Sequence, residues 1–171
     1  MKSRLRKGEI AEALFVAKAL GLGMNVSKPF GQNCRYDFMV ETMGRAVRVQ
    51  VKSTWQKKVS SFSFLVPRKS KDEYVVRAGG TTTRGARRYR VSEVDYIAAY
   101  VGPEDEWYVI PVRRIPSAFT IVLPGRYGRY REAWDQLCPR GVYVGDIQAA
   151  ADEPSVSSFV DNAMEWAYRR S

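Results

Sequence analysis

The chain contains no histidine. That absence excludes a histidine general base, a Ser-His-Asp or Cys-His nucleophile, histidine-ligated zinc and nucleases that work through histidine and a metal. Cysteine is nearly as scarce. Cys34 and Cys138 are the two present, too few for a four-cysteine zinc site or a disulfide framework, and the expected compartment is the reducing cytoplasm. No apolar run approaches the roughly 18 residues of a membrane span. Residues 1–7 are basic, but the segment after them carries carboxylates, which a secretion signal does not. There is no internal repeat and no low-complexity stretch. Acidic residues are the minority charge, 18 Asp and Glu against 28 Lys and Arg, for a net charge of +10.

What is present is a chain of 171 residues, 45% hydrophobic and 27% charged, which suits one domain with its own core. All the excess positive charge lies in residues 1–95, whose net charge is +12, against −2 for residues 96–171. Such asymmetry points to a face that binds a polyanion. Its densest part is 68–90, where Arg68, Lys69, Lys71, Arg77, Arg84, Arg87, Arg88 and Arg90 oppose only Asp72 and Glu73. Glycines and threonines at 79–85 let backbone approach a phosphate, and arginine forks grip its oxygens. The segment reads as a basic hairpin or loop that orders on DNA, or as an ordinary exposed loop.

Residues 8–20 are rich in Ala, Leu and Glu and predict a helix ended by Gly21 and Gly23. A short strand is expected at 24–28. Residues 36–41 alternate as a strand, and Arg45 to Thr54 alternates again, with Val47, Val49 and Val51 on one face and Arg48, Gln50 and Lys52 on the other. A tight turn at 42–44 makes 36–54 a hairpin. Further strands are expected at 61–66, 96–101, 107–110 and 119–123, a short helix at 129–137, a linker at 145–154 and a C-terminal helix at 155–169. The order implies α/β or α+β with a mixed sheet.

Four residues carry chemistry in this pattern. Glu12 sits in an apolar helical run, where an ionised carboxylate needs a compensating partner. Gln50 and Lys52 leave the same face of a strand. Pairing of the hairpin about its Met43-Gly44 turn brings Asp37 near Gln50. An acid, an amide oxygen and an ammonium then share one patch, the kit phosphodiester hydrolysis wants. Oxygen donors suit Mg²⁺, and a lysine can orient water and offset transition-state charge. Taken singly, the same residues read as a solvated helix carboxylate, a turn aspartate and a sheet-surface lysine.

The stretches KGEIAEALFVAKALGLG, PFGQNCRYDFMV and RVQVKS resemble the PD-(D/E)xK nuclease superfamily, best over residues 6–54. Among its branches the likeness is to group I intron homing endonucleases and, more distantly, to archaeal Holliday-junction resolvases. WYVIP at 107–111 also resembles the homing-endonuclease branch. The resemblance implies a restriction-endonuclease-like core of αβββαβ type, with a nuclease domain over 1–145 and a linker and C-terminal helix over 146–171. It implies Glu12, Asp37, Gln50 and Lys52 as catalytic residues. Asp37, Gln50, Glu12 and the Val51 carbonyl become ligands for Mg²⁺, or Mn²⁺. Tyr36 stands where the motif has proline, and neutral Gln50 where it commonly has an acid, a substitution that resembles the homing-endonuclease branch. Expected DNA contacts are Arg35, Arg77, Arg84, Arg87, Arg88 and Arg90, with Ser27, Asn33 and Ser53 flanking the site. The function implied is a Mg²⁺-dependent DNA endonuclease. The alternatives are an inactive nuclease-fold DNA-binding protein or a junction resolvase. The partner implied is double-stranded DNA, and cleavage of both strands implies a homodimer or homotetramer.

Overall fold

Helix α1 (Arg4–Gly21) begins the architecture. It buries Ala11, Phe15 and Ala19, one stripe at four-residue spacing. Its end is a Schellman cap: Met24 N–H reaches the Ala19 carbonyl at 3.1 Å and Gly23 N–H the Leu20 carbonyl at 2.9 Å. Gly23 takes φ +78° there, a conformation open to glycine. The computed structural model describes residues 4–31, 34–56, 73–77, 79–82, 85–115 and 120–151.

Strands β1 (Asn25–Ser27), β2 (Phe38–Thr42) and β3 (Arg45–Thr54) form an antiparallel meander. The β2–β3 turn has φ +46° at Met43 and +78° at Gly44, the two positive values of a type I′ hairpin. Phe38 therefore faces Val49 and Thr42 faces Arg45, the register the sequence predicts. After β4 (Tyr74–Arg77) and the hairpin β5 (Gly79–Thr82) and β6 (Gly85–Arg88), β7 (Tyr96–Val101) returns parallel to β3, and β8 (Glu106–Pro111) closes the sheet antiparallel to β7. The five-stranded order is β1-β2-β3-β7-β8, a mixed sheet. Strand β9 (Thr120–Leu123) pairs with β4 apart from it.

The sheet is covered on both faces. Val47, Val49, Val51, Ala98, Tyr100, Trp107 and Val109 join α1 in one core, while Ile97, Ala99, Val101, Tyr108 and Ile110 join Tyr74, Val76, Ile121 and Leu123 in the other. Alternating residues of β7 and β8 thus feed opposite cores; β7 is apolar throughout and β8 from Trp107 onward, as a strand buried on two sides requires. At the centre of the first core the Phe15 ring lies 5.5 Å from Phe38 and 5.7 Å from both Trp107 and Trp134.

Two expectations are corrected. The helix expected at 129–137 is instead two 3-10 turns, Gly125–Tyr130 and Trp134–Leu137. Glu132 breaks them at φ +48°, and its carboxylate accepts the Trp107 N–H at 2.7 Å and the Trp134 indole at 2.9 Å. The linker expected over 145–154 is helical from Val144 to Ala151, here α2. Asp146 accepts the Tyr143 N–H and Asp135 the Val144 N–H, each at 2.7 Å, which caps the helix start, and Ile147 is buried in the α1-side core. In the Arg-rich region, the hairpin expected takes form as β5 and β6. The strand expected at 61–66 and the helix at 155–169 lie outside the described residues.

Phe15→Ala is expected to cost about 3–5 kcal/mol, because the cavity lies among three other rings. Leu14→Ala, one position along on a half-exposed side chain, serves as control and should cost under about 1 kcal/mol. Urea denaturation of both variants checks this; equal midpoints would place the core elsewhere.

Candidate active site

Asp37 lies just ahead of β2, and its N–H still bonds the Val49 carbonyl at 2.9 Å. Phe38 already pairs with Val49, so Asp37 shares that partner instead of adding a rung opposite Gln50, and its side chain turns to the β3 edge just beyond. Beyond the last β2 pair, β3 offers a backbone donor with no strand partner on that side. The Asp37 carboxylate takes it: Oδ2 accepts the Val51 N–H at 2.8 Å. The same oxygen accepts the Gln50 side-chain amide. Gln50 is one of only two buried polar residues among those described, and this bond meets the need of a buried amide for a partner.

Glu12 reaches the same place from α1. Glu12, Asp37, Gln50, Val51 and Lys52 line one cleft of about 330 Å³, with Gly8, Ala11 and Ser53 beside them. Glu12 is partnered by a residue the sequence reading did not nominate: Lys28, in the loop after β1, sets its Nζ 3.0 Å from Glu12 Oε2. The Glu12 hydrogen bond and charge raise the Lys28 ammonium above the ordinary lysine range. Only a lysine before a proline-glycine loop marked it in sequence. Glu9 is exposed and does not line the cleft.

Burial raises the Asp37 carboxyl above its usual range, and the neighbouring Glu12 charge adds to this. The Val51 N–H, Lys52 and Lys28 work the other way without overcoming burial. The pocket thus holds two carboxylates, with lysines on either side. Among the described residues no three His, Cys, Asp or Glu side chains gather to hold a metal. The donors on offer are instead two carboxylates, the Gln50 amide oxygen and the Val51 carbonyl, all hard oxygens that fit Mg²⁺. For Gln50 to serve as an oxygen donor its amide must turn over, since its NH₂ now faces Asp37.

The other nominated residues divide. Arg48, expected on the Gln50 and Lys52 face, is consumed by Asp95, with Nε to Oδ2 and Nη2 to Oδ1 both at 3.0 Å. Burial opposes ionisation of Asp95, but the Arg48 bonds and charge prevail and hold it below the usual range. Arg35 packs its guanidinium 5.2 Å from the centre of the Tyr89 ring and lies 3.9 Å from Glu93. Arg88 and Arg90 are exposed. Arg77 and Arg87 lie in β4 and β6, and Arg84 and Asn33 lie outside the described residues. Ser27 is exposed on β1, and Ser53 accepts the Trp55 indole N–H at 3.2 Å. A larger cleft, about 500 Å³, opens beside β8, but its polar groups are already partnered: Arg131 pairs with Glu106 at 3.3 Å and the Tyr74 hydroxyl donates to Glu104.

Glu12, Asp37, Gln50 and Lys52 thus line one cleft between a helix and a mixed sheet. Residues 2–129 match the PD-(D/E)XK endonuclease family, most of the chain, and the chain belongs to it. Its fold is the restriction-endonuclease-like one. Among solved structures it is similar to the bacterial homing endonuclease I-Ssp6803I, at 31% identity and a TM-score of 0.60, over 80% of this chain and 91% of that one. No curated protein sequence matches it. Among the described residues no helix is long and apolar enough to cross a membrane.

The raised Asp37 carboxyl sets a pH test. A folded state that holds the proton more tightly than the unfolded chain loses stability as pH rises through the folded value. Asp37→Asn should therefore melt higher than the parent at pH 7 without metal, and the gap should close below the ordinary aspartate value of 3.8. Calorimetry across that range checks it; a parent that melts higher at pH 7 would reverse the sign.

Proposed function

We propose that this endonuclease is a Mg²⁺-dependent enzyme acting on double-stranded DNA, of the homing-endonuclease type, and that Glu12, Asp37, Gln50 and Lys52 are its catalytic residues. The observation that carries the proposal is their meeting in one cleft from α1, the loop before β2 and the middle of the sheet. Glu12, Asp37, the Gln50 amide oxygen and the Val51 carbonyl would hold the cation, and Mn²⁺ would suit the same oxygens; the bound ion would supply Lewis acidity toward the scissile phosphate and its attacking water. Lys52 orients the attacking water and offsets charge that builds on the phosphate oxygens. Asp37 must be ionised to hold a cation, so the proton its burial favours competes with the metal, and metal binding tightens as pH rises. Neutral Gln50 leaves one charge fewer than an acidic pair, which lowers metal affinity. Its bond to Asp37 satisfies both side chains before metal arrives.

Arg35, Arg77, Arg84, Arg87, Arg88 and Arg90 are assigned to the DNA backbone. One chain carries one such site, so cutting both strands calls for a homodimer or homotetramer. The domain is taken to run to about residue 145, with α2 packed against it.

A supercoiled plasmid library with randomised inserts, incubated with Mg²⁺, tests the reading and finds the target. Lys52→Ala should slow cutting by roughly 10²-fold or more. Asp37→Asn should abolish cutting yet keep DNA binding, since losing a carboxylate lessens repulsion of phosphate. Binding without any Mg²⁺-stimulated cutting by the parent protein would leave a nuclease-fold DNA-binding protein.

Phosphate contacts release counterions, each adding about −0.9 to the slope of log K against log salt. Replacing Arg87, Arg88 and Arg90 together with alanine should flatten that slope by about 2–3 units. An unchanged slope would put the DNA on another face.

A further inference from the structure

Lys52 projects from the middle of the sheet, where β3 pairs with Ala99 of β7. Its long stem has many rotamers, and an ammonium that must address one water or one phosphate oxygen needs to be held. Among the described residues neither a hydrogen bond nor a salt bridge holds it. Two weaker influences act on it. Asp37 attracts it through space, and its Nζ lies 5.5 Å from the centre of the Tyr89 ring, within reach of the attraction between a cation and an aromatic face.

Tyr89 is itself anchored. It is half-buried and packs on the core behind the sheet. The Arg35 guanidinium approaches the same ring at 5.2 Å, and Arg35 Nη2 reaches the Arg88 carbonyl at 3.5 Å. Tyr89 directly follows β6, so one ring joins the arginine-rich hairpin to the cleft. Chain-wise the ring is far from both partners, which come from the loop before β2 and from β3.

We infer that Tyr89 is a positioning residue for Lys52: its ring face holds the ammonium beside Asp37. The inference rests on the proposed role of Lys52. The hydroxyl is not required for it; the aromatic face is.

The test compares Tyr89→Phe, Tyr89→Leu and Lys52→Ala in the full chain. One readout needs no catalysis. With ¹³C-labelled lysine, the Lys52 ε-CH₂ signal, assigned by its loss in Lys52→Arg, should be shifted upfield by the ring current. It should stay so in Tyr89→Phe and return to the ordinary lysine position in Tyr89→Leu. The second readout is Mg²⁺-dependent nicking of the best-cut plasmid. Tyr89→Leu should lose roughly 3- to 30-fold in kcat with KM for the plasmid within about twofold, and Tyr89→Phe should keep the parent kcat within about twofold. Melting temperatures of both variants confirm that they are folded. A Lys52 signal unchanged in Tyr89→Leu overturns the contact. Parent kcat in Tyr89→Leu, with Lys52→Ala inactive, overturns the positioning role alone. Tyr89→Phe as slow as Tyr89→Leu overturns it in favour of the hydroxyl. Full nicking by Lys52→Ala overturns the catalytic reading of Lys52 and the inference with it.

Discussion

β3 is bonded along both edges, antiparallel to β2 and parallel to β7. This double pairing governs the site. Held on both sides, the strand cannot slip by a residue without moving Val47, Val49 and Val51 out of the core under α1. The same restraint presents Gln50 and Lys52 from the alternate positions. Asp37 then completes the geometry by bonding the Val51 N–H just past the end of β2. The carboxylate thus replaces one more rung of the ladder, and a structural bond and a functional placement are the same contact.

The first half of β3 is secured by arginines rather than by apolar contacts alone. Arg45 donates to the carbonyls of Gln136 and Cys138 and to the Tyr96 hydroxyl, which fastens the hairpin turn to the 3-10 segment behind it. Arg48 forks onto Asp95 and also donates to the carbonyls of Val91 and Ser92. That second cluster fixes where the long excursion from β3 re-enters the sheet as β7. Two of the basic residues in the first half of the chain therefore spend their hydrogen-bond donors on architecture, so their guanidinium forks are not available to a polyanion, although the net charge remains +10.

Electrostatics at the cleft work against the fold in the absence of a cation. Asp37 is buried enough to resist ionisation, and Glu12 adds like charge. Lys28 relieves part of this through its 3.0 Å bond to Glu12. A site that is costly to hold while empty of positive charge gains most from acquiring it, the usual tension between stability and function. Lys28 is exposed, so it can leave Glu12 at small cost when a stronger cation competes.

The hairpin was legible in the residues themselves. Period-two alternation from 36 to 54 and a turn at Met43 and Gly44 are local signals, and together they bring Asp37 near Gln50 before any tertiary contact is known. The missing histidine narrowed the chemistry to oxygen donors and lysine, and the Ala- and Leu-rich helix marked Glu12 as out of place. Other features had no local signal. The parallel return of β7 to β3, Lys28 on Glu12 and the Tyr89 ring on Lys52 join residues brought together only by the chain's path in space. The same holds for Glu132, whose positive φ and two hydrogen bonds split an expected helix into 3-10 turns. Periodicity and turn chemistry are written into neighbouring residues, so sequence alone determined the hairpin of β2 and β3 and its register. A single side chain meeting another across the fold leaves no period behind, so only the tertiary structure decided what surrounds Lys52.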